Sequence, residues 1–171
     1  MLPMSQNLDV IVTAGDRDAS RPVFGDNKAF LPLADVPIIN YVLSAVERAQ
    51  CTARIFVVGD STRLAAALAV PNTPWRGTRP LHFLEQGNTL YDNVWNAFLH
   101  TLPDYTPGTD WRIYMDTPAF DKAVLVIPGD IPLATPEELD AFVDGCDLAR
   151  YDYCLGLSAA SVLPAYYPQD G

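Results

Sequence analysis

The chain has 171 residues, 49% of them hydrophobic and 19% charged, which is typical of a folded globular protein rather than a disordered one. This length predicts a single domain, residues 1–171, with a buried core. The net charge of -10 argues against nucleic acid and against an anionic membrane as partners, because both bind basic surfaces. A phosphate ligand stays compatible with this charge, since it needs only a few local cations.

The sequence shows no membrane or export signal. No apolar run approaches the ~20 residues that span a bilayer, and Met1–Asp9 lacks the basic start and apolar core of a signal peptide. Cys51, Cys146 and Cys154 form no CxxC pair, so free thiols in a reducing compartment are the simplest interpretation. We therefore expect a cytoplasmic protein, and the sequence does not indicate its oligomeric state.

The first element predicted is a strand that leads into a polar loop. Val10–Val12 is a short apolar run that predicts a buried strand, and it ends at Thr13–Gly15, where glycine permits a turn or a close backbone approach. The loop that follows carries three cations, Arg17, Arg21 and Lys28. Such a turn can present backbone N–H groups and positive charge to phosphates. An ordinary solvated loop explains the same stretch equally well.

Helix and strand patterns then alternate. Asp35 predicts the N-cap of a helix whose apolar face repeats over residues 38–49. Arg54–Val58 predicts a second buried strand, after which Asp60 or Ser61 can cap a short helix. A weaker strand candidate, residues 81–84, precedes a third helix.

The second half continues this alternation. Thr89 is a possible cap of the third helix, and residues 103–121 show no clean period, which predicts a flap or an excursion that Trp111, Tyr114 and Met115 pack down. Ala123–Ile127 is the clearest strand. Residues 135–138 open a helix with a capping box, and Tyr153–Leu157 predicts a fifth strand.

This alternation predicts right-handed βαβ units, an α/β class and a mainly parallel sheet. Ligands of such sheets bind outside the carboxyl ends of the strands. The segments that follow the first four predicted strands hold most of the distinctive polar residues: Thr13–Lys28, Gly59–Asp60, Gln86–Thr89 and Pro128–Leu133. We expect these segments to meet at one edge of the sheet and to form a binding site.

Asp130 is the most informative residue among them. It stands between Gly129 and Ile131, just past a buried strand, where an Asp commonly forms a turn. A carboxylate at this place also suits Mg²⁺, which prefers one or two carboxylates together with phosphate oxygens and water. The spacing alone leaves both interpretations open.

Three blocks carry a family resemblance. Val12–Gly15 followed by Lys28–Ile39 resembles the opening of the MobA-like and sugar-phosphate nucleotidyltransferases, a strand, an Ala-Gly-Gly loop and a Lys-x-Leu-Leu-Pro-Val-x-Gly-x-Pro-Leu-Ile block. Val126–Leu133 is similar to their Gly-Asp-x-Pro-Leu segment, and Glu85–Thr89 more loosely resembles their base-reading turn. The resemblance covers residues 8–145 and implies a Rossmann-like three-layer sandwich of the GT-A-like kind.

The resemblance also implies an activity. A nucleoside monophosphate would pass from a nucleoside triphosphate to a sugar phosphate or a similar phosphorylated acceptor, with Mg²⁺ bound and pyrophosphate released. The implied catalytic residues are Arg21, Lys28 and Asp130, and Asp130 would also hold the metal. The implied nucleotide-binding residues are Thr13, Ala14, Gly15, Arg17, Gln86, Gly87, Asn88 and Thr89. Neither the base nor the acceptor can be inferred.

The chain departs from the family pattern at several places. Asp16 and Asp35 replace glycines, and relatives continue past the position of Gly171, so we expect the nucleotide-binding part of a longer nucleotidyltransferase. A non-catalytic nucleotide-binding or assembly module of the same fold is one alternative. A GT-A glycosyltransferase is another, although the usual Asp-x-Asp motif is absent around Asp130. A dinucleotide oxidoreductase would need a GxGxxG at the first turn, which the chain lacks.

Overall fold

A computed structural model describes residues 7–15 and 26–157. Four strands form one sheet: β1 (Leu8–Thr13), β4 (Thr52–Gly59), β5 (Leu81–Glu85) and β6 (Val124–Pro128). Two short strands, β2 (Pro32–Leu33) and β3 (Val36–Pro37), form a separate hairpin. The helices are α1 (Ile38–Arg48), α2 (Ser61–Leu68), α3 (Leu90–His100) and α4 (Pro136–Asp144), with 3₁₀ turns at Lys28–Phe30 and Trp111–Tyr114. None of the helices in the described ranges is long and apolar enough to cross a bilayer.

The strand order of the sheet is β5-β4-β1-β6, and every neighbouring pair is parallel. Val10 in β1 pairs with Ile55 of β4 on one side and with Leu125 of β6 on the other. The strands predicted at Val10–Val12, Arg54–Val58 and Ala123–Ile127 are therefore confirmed as members of one parallel sheet, in which β1 lies between β4 and β6. The chain builds outward from β1 to β5 and then returns to the other side of β1. This reversal between β1 and β6 is the kind of switch point where α/β sheets bind ligands.

Helices cover both faces of the sheet. Alternate residues of β1 point to opposite faces, so Val10 and Val12 pack under α1, α2 and α4, whereas Ile11 packs under α3. Burial is complete in the middle of the sheet, where all three of these side chains are inaccessible. The predicted three-layer α/β sandwich with a parallel sheet is confirmed.

The helix starts follow the local chemistry of the sequence. Thr89 and Thr135 each form a capping box, with Asp92 and Glu138 respectively, so that side chain and backbone bond reciprocally across the first turn of α3 and α4. Asp60, rather than Ser61, caps α2 by accepting a hydrogen bond from the backbone N–H of Arg63. These caps place three helix N-termini directly after the carboxyl ends of β4 and β5 and close after β6.

Two local predictions are wrong. Asp35 does not cap α1, which begins at Ile38 without a side-chain cap. Ala34 and Asp35 instead have φ angles of 49° and 65° and form the two-residue turn of the β2–β3 hairpin, a conformation in which glycine costs least. Tyr153–Leu157 is not a strand, because its side chains are mostly exposed and it pairs with no strand of the described chain.

The insert between α3 and β6 is held by aromatic side chains. Trp111 meets Trp95 of α3 edge-on, with ring centroids 5.3 Å apart, and stacks on Phe120 at 6.0 Å. The predicted packing role is confirmed for Trp111, and the Tyr114 ring contacts the Tyr105 ring within the insert, with centroids 6.5 Å apart. The prediction is wrong for Met115, which is 53% exposed. The insert starts and ends at the amino edge of the sheet, away from the strand ends where the predicted site lies.

A buried ion cluster fastens that amino edge. Asp9 of β1 is 8% exposed and accepts hydrogen bonds from Arg54 of β4 at 2.8 and 2.7 Å and from Lys122 at 2.7 Å. Both cations also donate to the carbonyl oxygen of Thr101, just after α3. Burial alone would raise the pKa of Asp9, but the hydrogen bonds from Arg54 and Lys122 outweigh it, so the pKa is lowered.

Candidate functional site

Three strand ends converge on the turn that follows β1. The N–H of Ala14 donates to Val58 O of β4 at 2.8 Å, and the N–H of Gly129 donates to Thr13 O at the same distance. A Cβ atom at Gly59 would lie 3.0 Å from Ala14 O, and one at Gly129 would lie 3.0 Å from Thr13 O. Only glycine fits this close approach without a shift of the backbone, and it brings the segments after β4 and β6 beside the turn.

Asn27 joins the chain before the first 3₁₀ turn to the turn that follows β1. Its Nδ2 donates to Ala14 O at 3.0 Å, and its Oδ1 accepts the N–H of Ala29 at 2.9 Å, which caps the 3₁₀ turn. Lys28 is the first residue of that turn and is exposed. The structure therefore places Lys28 at the predicted edge. Arg17 and Arg21 lie outside the described residues, so their predicted roles stay predictions.

Gly15, Gln86 and Asn93 meet on the other side of the turn. A Cβ atom at Gly15 would lie 2.8 Å from Gln86 Oε1 and 3.2 Å from Asn93 Nδ2. Asn93 is a buried residue of α3, and its Oδ1 accepts the N–H of Gly87 at 2.6 Å. Asn93 thus joins α3 to the loop after β5. The sequence interpretation missed it, although a polar residue on the buried side of an amphipathic helix could have indicated it.

The remaining residues of the predicted base-reading turn differ in their surroundings. Asn88 is exposed. The hydroxyl of Thr89 accepts the N–H of Asp92 at 3.0 Å and donates to its carboxylate at 2.8 Å, so this side chain is engaged in the helix cap. Thr89 fixes the start of α3, while contacts of Gln86, Gly87, Asn88 and Thr89 with a nucleotide stay a prediction.

Arg63 is a further cation at this edge that the sequence interpretation missed. It lies in the first turn of α2, its guanidinium carbon is 4.1 Å from the centre of the Phe30 ring, and its Nη2 is 2.6 Å from Asp26 Oδ1. The hydrogen bond from Arg63 lowers the pKa of Asp26. Because α2 starts directly after β4, the strand–helix order was the signal that could have found Arg63.

Asp130 is exposed directly after Gly129, at the carboxyl end of β6. Within residues 7–15 and 26–157, no group of three or more His, Cys, Asp and Glu side chains could hold a metal ion. The protein donors near Asp130 therefore fit Mg²⁺ that binds together with phosphate oxygens and water, since Mg²⁺ needs only one or two carboxylates in such sites. They do not fit a metal cage made of side chains alone.

Comparison with known families gives one match that covers most of the chain. The model of the MobA-like NTP transferase domain matches residues 10–168. No curated protein sequence is a significant match.

Several solved structures share the fold at low sequence identity. The 4-diphosphocytidyl-2C-methyl-D-erythritol synthase of Anaerococcus prevotii DSM 20548 is 12% identical, with a TM-score of 0.54 over 82% of this chain and 50% of that chain. Rv0371c of Mycobacterium tuberculosis H37Rv is 17% identical, with a TM-score of 0.52 over 82% and 61%. The CMP:2-keto-3-deoxy-manno-octonic acid synthetase complexed with CTP is 16% identical, with a TM-score of 0.51 over 82% and 47%. The chain thus spans about half to three-fifths of these neighbours, and the likeness shows a common fold.

Proposed function

The chain belongs to the family of MobA-like NTP transferase domains, and on this premise we propose that its site binds a nucleoside triphosphate with Mg²⁺ and transfers the nucleoside monophosphate to a phosphorylated acceptor such as a sugar phosphate. The observation that carries the proposal is the convergence of Gly15, Lys28, Gln86 and Asp130 at one edge of the sheet, at its switch point. That residues 1–171 are one domain of a longer cytoplasmic nucleotidyltransferase stays a prediction.

The proposed reaction is a direct phosphoryl substitution. An oxygen of the acceptor phosphate forms a bond to the α-phosphorus, the bond from the α-phosphorus to the bridging oxygen breaks, and pyrophosphate leaves. The acceptor phosphate is already ionised, so the chain needs no general base. Its contribution is to position the reactants and to stabilise their charge.

The proposal assigns a separate role to the backbone and to each side chain of the site. The backbone at Ala14 and Gly15 cradles the phosphates, and Lys28, with Arg17 or Arg21, neutralises their charge. Asp130 holds the metal ion, and bound Mg²⁺ supplies further neutralisation of the phosphate oxygens. The loop Gln86–Thr89 contacts the base, and the hydrogen bond from the N–H of Gly87 to Asn93 Oδ1 holds the backbone of this loop in position.

A titration tests the proposal directly. Binding of ATP, CTP, GTP and UTP to the whole chain is measured by calorimetry, once with MgCl₂ and once with EDTA. Pyrophosphate release is then measured with a panel of sugar phosphates as acceptors. We expect one or two nucleotides to bind and to require Mg²⁺. No binding of any of the four would refute the proposal. Binding without pyrophosphate release from any acceptor would favour the non-catalytic nucleotide-binding module.

Lys28→Ala is expected to weaken nucleotide binding. Loss of one charged hydrogen bond to phosphate costs roughly 1–3 kcal/mol, or about 5- to 150-fold in Kd. Arg112→Ala is the matched control, because it removes one positive charge from the exposed insert. Calorimetry on both variants gives the comparison. An unchanged Kd in Lys28→Ala, with the control also unchanged, would remove Lys28 from the site.

Asn93→Asp tests whether Asn93 lies beside the bound nucleotide. The substitution keeps an oxygen that accepts the N–H of Gly87 but replaces the Nδ2 donor beside Gly15 with a negative oxygen. We expect nucleotide affinity to fall by about tenfold or more through charge repulsion, and the free energy of unfolding to fall by roughly 2 kcal/mol, because the new carboxylate is buried. Asn96→Asp, on the same helix, serves as the control for charge. Equal affinities of the two variants would contradict the position assigned to Asn93.

A further inference from the structure

The side chain of Arg63 is held between an aromatic ring and a carboxylate. Its guanidinium carbon lies 4.1 Å from the centre of the Phe30 ring, and its Nη2 donates to Asp26 Oδ1 at 2.6 Å. The backbone is fixed as well, because the N–H of Arg63 donates to Asp60 Oδ1, the cap of α2, at 2.9 Å. The guanidinium therefore has a defined position in the folded protein.

The Arg63–Asp26 pair lies next to the backbone that is proposed to cradle the phosphates. Asn27, the neighbour of Asp26, donates from its Nδ2 to Ala14 O at 3.0 Å. Gly59, which precedes the cap of α2, passes so close to the same carbonyl that a Cβ atom there would lie 3.0 Å from Ala14 O. The two segments that carry the pair thus meet at the Ala14 carbonyl.

The ring and the carboxylate differ in how an incoming anion affects them. Phe30 is half-buried against the core and uncharged, so an anion does not compete with it. The side chains of Asp26 and Arg63 are 44% and 35% exposed, and ion pairs this exposed to water are weak. A phosphate oxygen has the same charge as the carboxylate and accepts hydrogen bonds from a guanidinium equally well. The carboxylate can therefore be exchanged for phosphate while the ring supports the guanidinium.

We propose that Arg63 binds a phosphate group of the nucleotide, and that the Asp26 carboxylate takes the place of this phosphate when no nucleotide is bound. The inference rests on the proposed nucleotide site and adds to it one cation and one exchange step. Nucleotide binding breaks the hydrogen bond from Arg63 Nη2 to Asp26 Oδ1, and the guanidinium then donates to phosphate oxygens. The carboxylate is left to water. No covalent bond changes, and no proton is transferred.

The exchange predicts opposite effects for the two members of the pair. Arg63→Ala removes a donor to phosphate, and we expect Kd to rise about 5- to 150-fold. Asp26→Asn removes the competing charge, and we expect Kd to fall about two- to fivefold. The asparagine still accepts the N–H of Asn27, as Asp26 Oδ1 does at 2.7 Å, so the backbone contact is kept. A pair that only fastened two segments together would lose affinity from either substitution.

Calorimetry on the whole chain with MgCl₂ tests this. The probes are ATP, CTP, GTP and UTP, of which the tightest-binding is used throughout, and inorganic triphosphate, which has no base. Arg63→Ala should weaken the nucleotide and inorganic triphosphate by similar factors. The double variant Asp26→Asn/Arg63→Ala should bind about 5- to 150-fold more weakly than Asp26→Asn alone. Arg63→Lys keeps the charge but not the planar fork, so it should recover only part of the affinity.

The pair of Arg112 and Asp110 on the insert is a matched control. Arg112 also lies over an aromatic ring, that of Trp111 at 5.1 Å, and its Nη1 is 3.2 Å from Asp110 Oδ1. Arg112→Ala and Asp110→Asn should leave both affinities unchanged, since the insert joins the sheet at its amino edge.

Four results would overturn the inference. A wild type that binds none of the four nucleotides would refute the proposed function together with it. A wild type that binds, with the same Kd in Arg63→Ala, would refute the inference alone. A double variant as tight as Asp26→Asn would show that Arg63 acts only by neutralising Asp26. A loss for the nucleotide without a loss for inorganic triphosphate would assign Arg63 to the base or the ribose.

Discussion

Asp130→Asn is expected to abolish Mg²⁺-dependent nucleotide binding while leaving the free protein as stable as before. The Asp130 side chain is exposed at the end of β6, so the amide replaces the carboxylate without a packing change. A turn-forming Asp replaced by Asn keeps much of its local hydrogen bonding. The lost charge matters only for the metal ion, which has few other protein ligands in this part of the structure.

Melting curves measure this difference. A nucleotide with MgCl₂ at a concentration of 100 Kd stabilises a protein by about 2.7 kcal/mol, which for a chain of this size corresponds to roughly 5–10 °C in Tm. We expect this gain in the wild type and close to none in Asp130→Asn. Asp116→Asn, which removes one exposed carboxylate from the insert, should keep the full gain. If Asp130→Asn gains as much as the wild type, Asp130 is a turn residue and holds no metal.

Among the substitutions proposed for this protein, Asp9→Ala is expected to cause the largest fall in the free energy of unfolding. The substitution leaves Arg54 and Lys122 close together at the carbonyl oxygen of Thr101, without the carboxylate that pairs with both. Breaking a buried ion pair costs about 3–5 kcal/mol. The side chains of Arg54 and Lys122 are 40% and 26% exposed, so water relieves part of this cost and we expect about 3 kcal/mol.

Urea unfolding of Asp9→Ala and of Asp110→Ala gives the comparison. Asp110 pairs with Arg112 on the surface, where both side chains are more than half exposed, so its loss should cost at most about 1 kcal/mol. Equal losses in the two variants would show that the Asp9 cluster contributes no more than a surface pair.

The same cluster determines a pH dependence. The pKa of Asp9 is lowered in the folded protein from an ordinary value of 3.8, so its contribution is complete above that value and is lost as the pH falls through the folded pKa. The stability difference between wild type and Asp9→Ala should therefore be constant from neutral pH to about pH 4 and shrink below it. A difference that already shrinks between pH 7 and pH 5 would assign the titration to another group.

The sequence predicted those elements whose cause is local. The predicted cap at Thr89 and the predicted capping box at Thr135 each depend on four consecutive residues, and the aliphatic runs of β1 and β6 need no distant partner to be recognised. The prediction that Asp35 caps α1 was wrong because an Asp before an apolar run is also typical of a helix N-cap. Only the pairing of Pro32–Leu33 with Val36–Pro37 shows that the backbone turns left-handed there.

The same distinction between local and distant causes applies to the candidate site. Lys28 and Asp130 could be predicted at this edge because each belongs to a recognisable block of the sequence, and the parallel sheet implied that the two blocks would meet at one edge. The contacts of Asn27 with Ala14 and of Arg63 with Asp26 join positions far apart in the sequence. Such pairs are set by the three-dimensional packing, and a single sequence contains no signal of which distant residues will meet.

The helix caps at the carboxyl edge have a consequence for how an anion reaches the site. The N-terminus of a helix carries about half a positive elementary charge, yet Asp60 already caps α2, and Asp92 and Glu138 lie in the first turns of α3 and α4. At an ionic strength of about 0.01 M, where the Debye length is about 30 Å, an incoming triphosphate first meets the net charge of -10. Capture then begins with a repulsion, and attraction acts only over the last few ångströms. For such a protein, moderate salt speeds the encounter even as it weakens the bound contacts, the reverse of electrostatic steering.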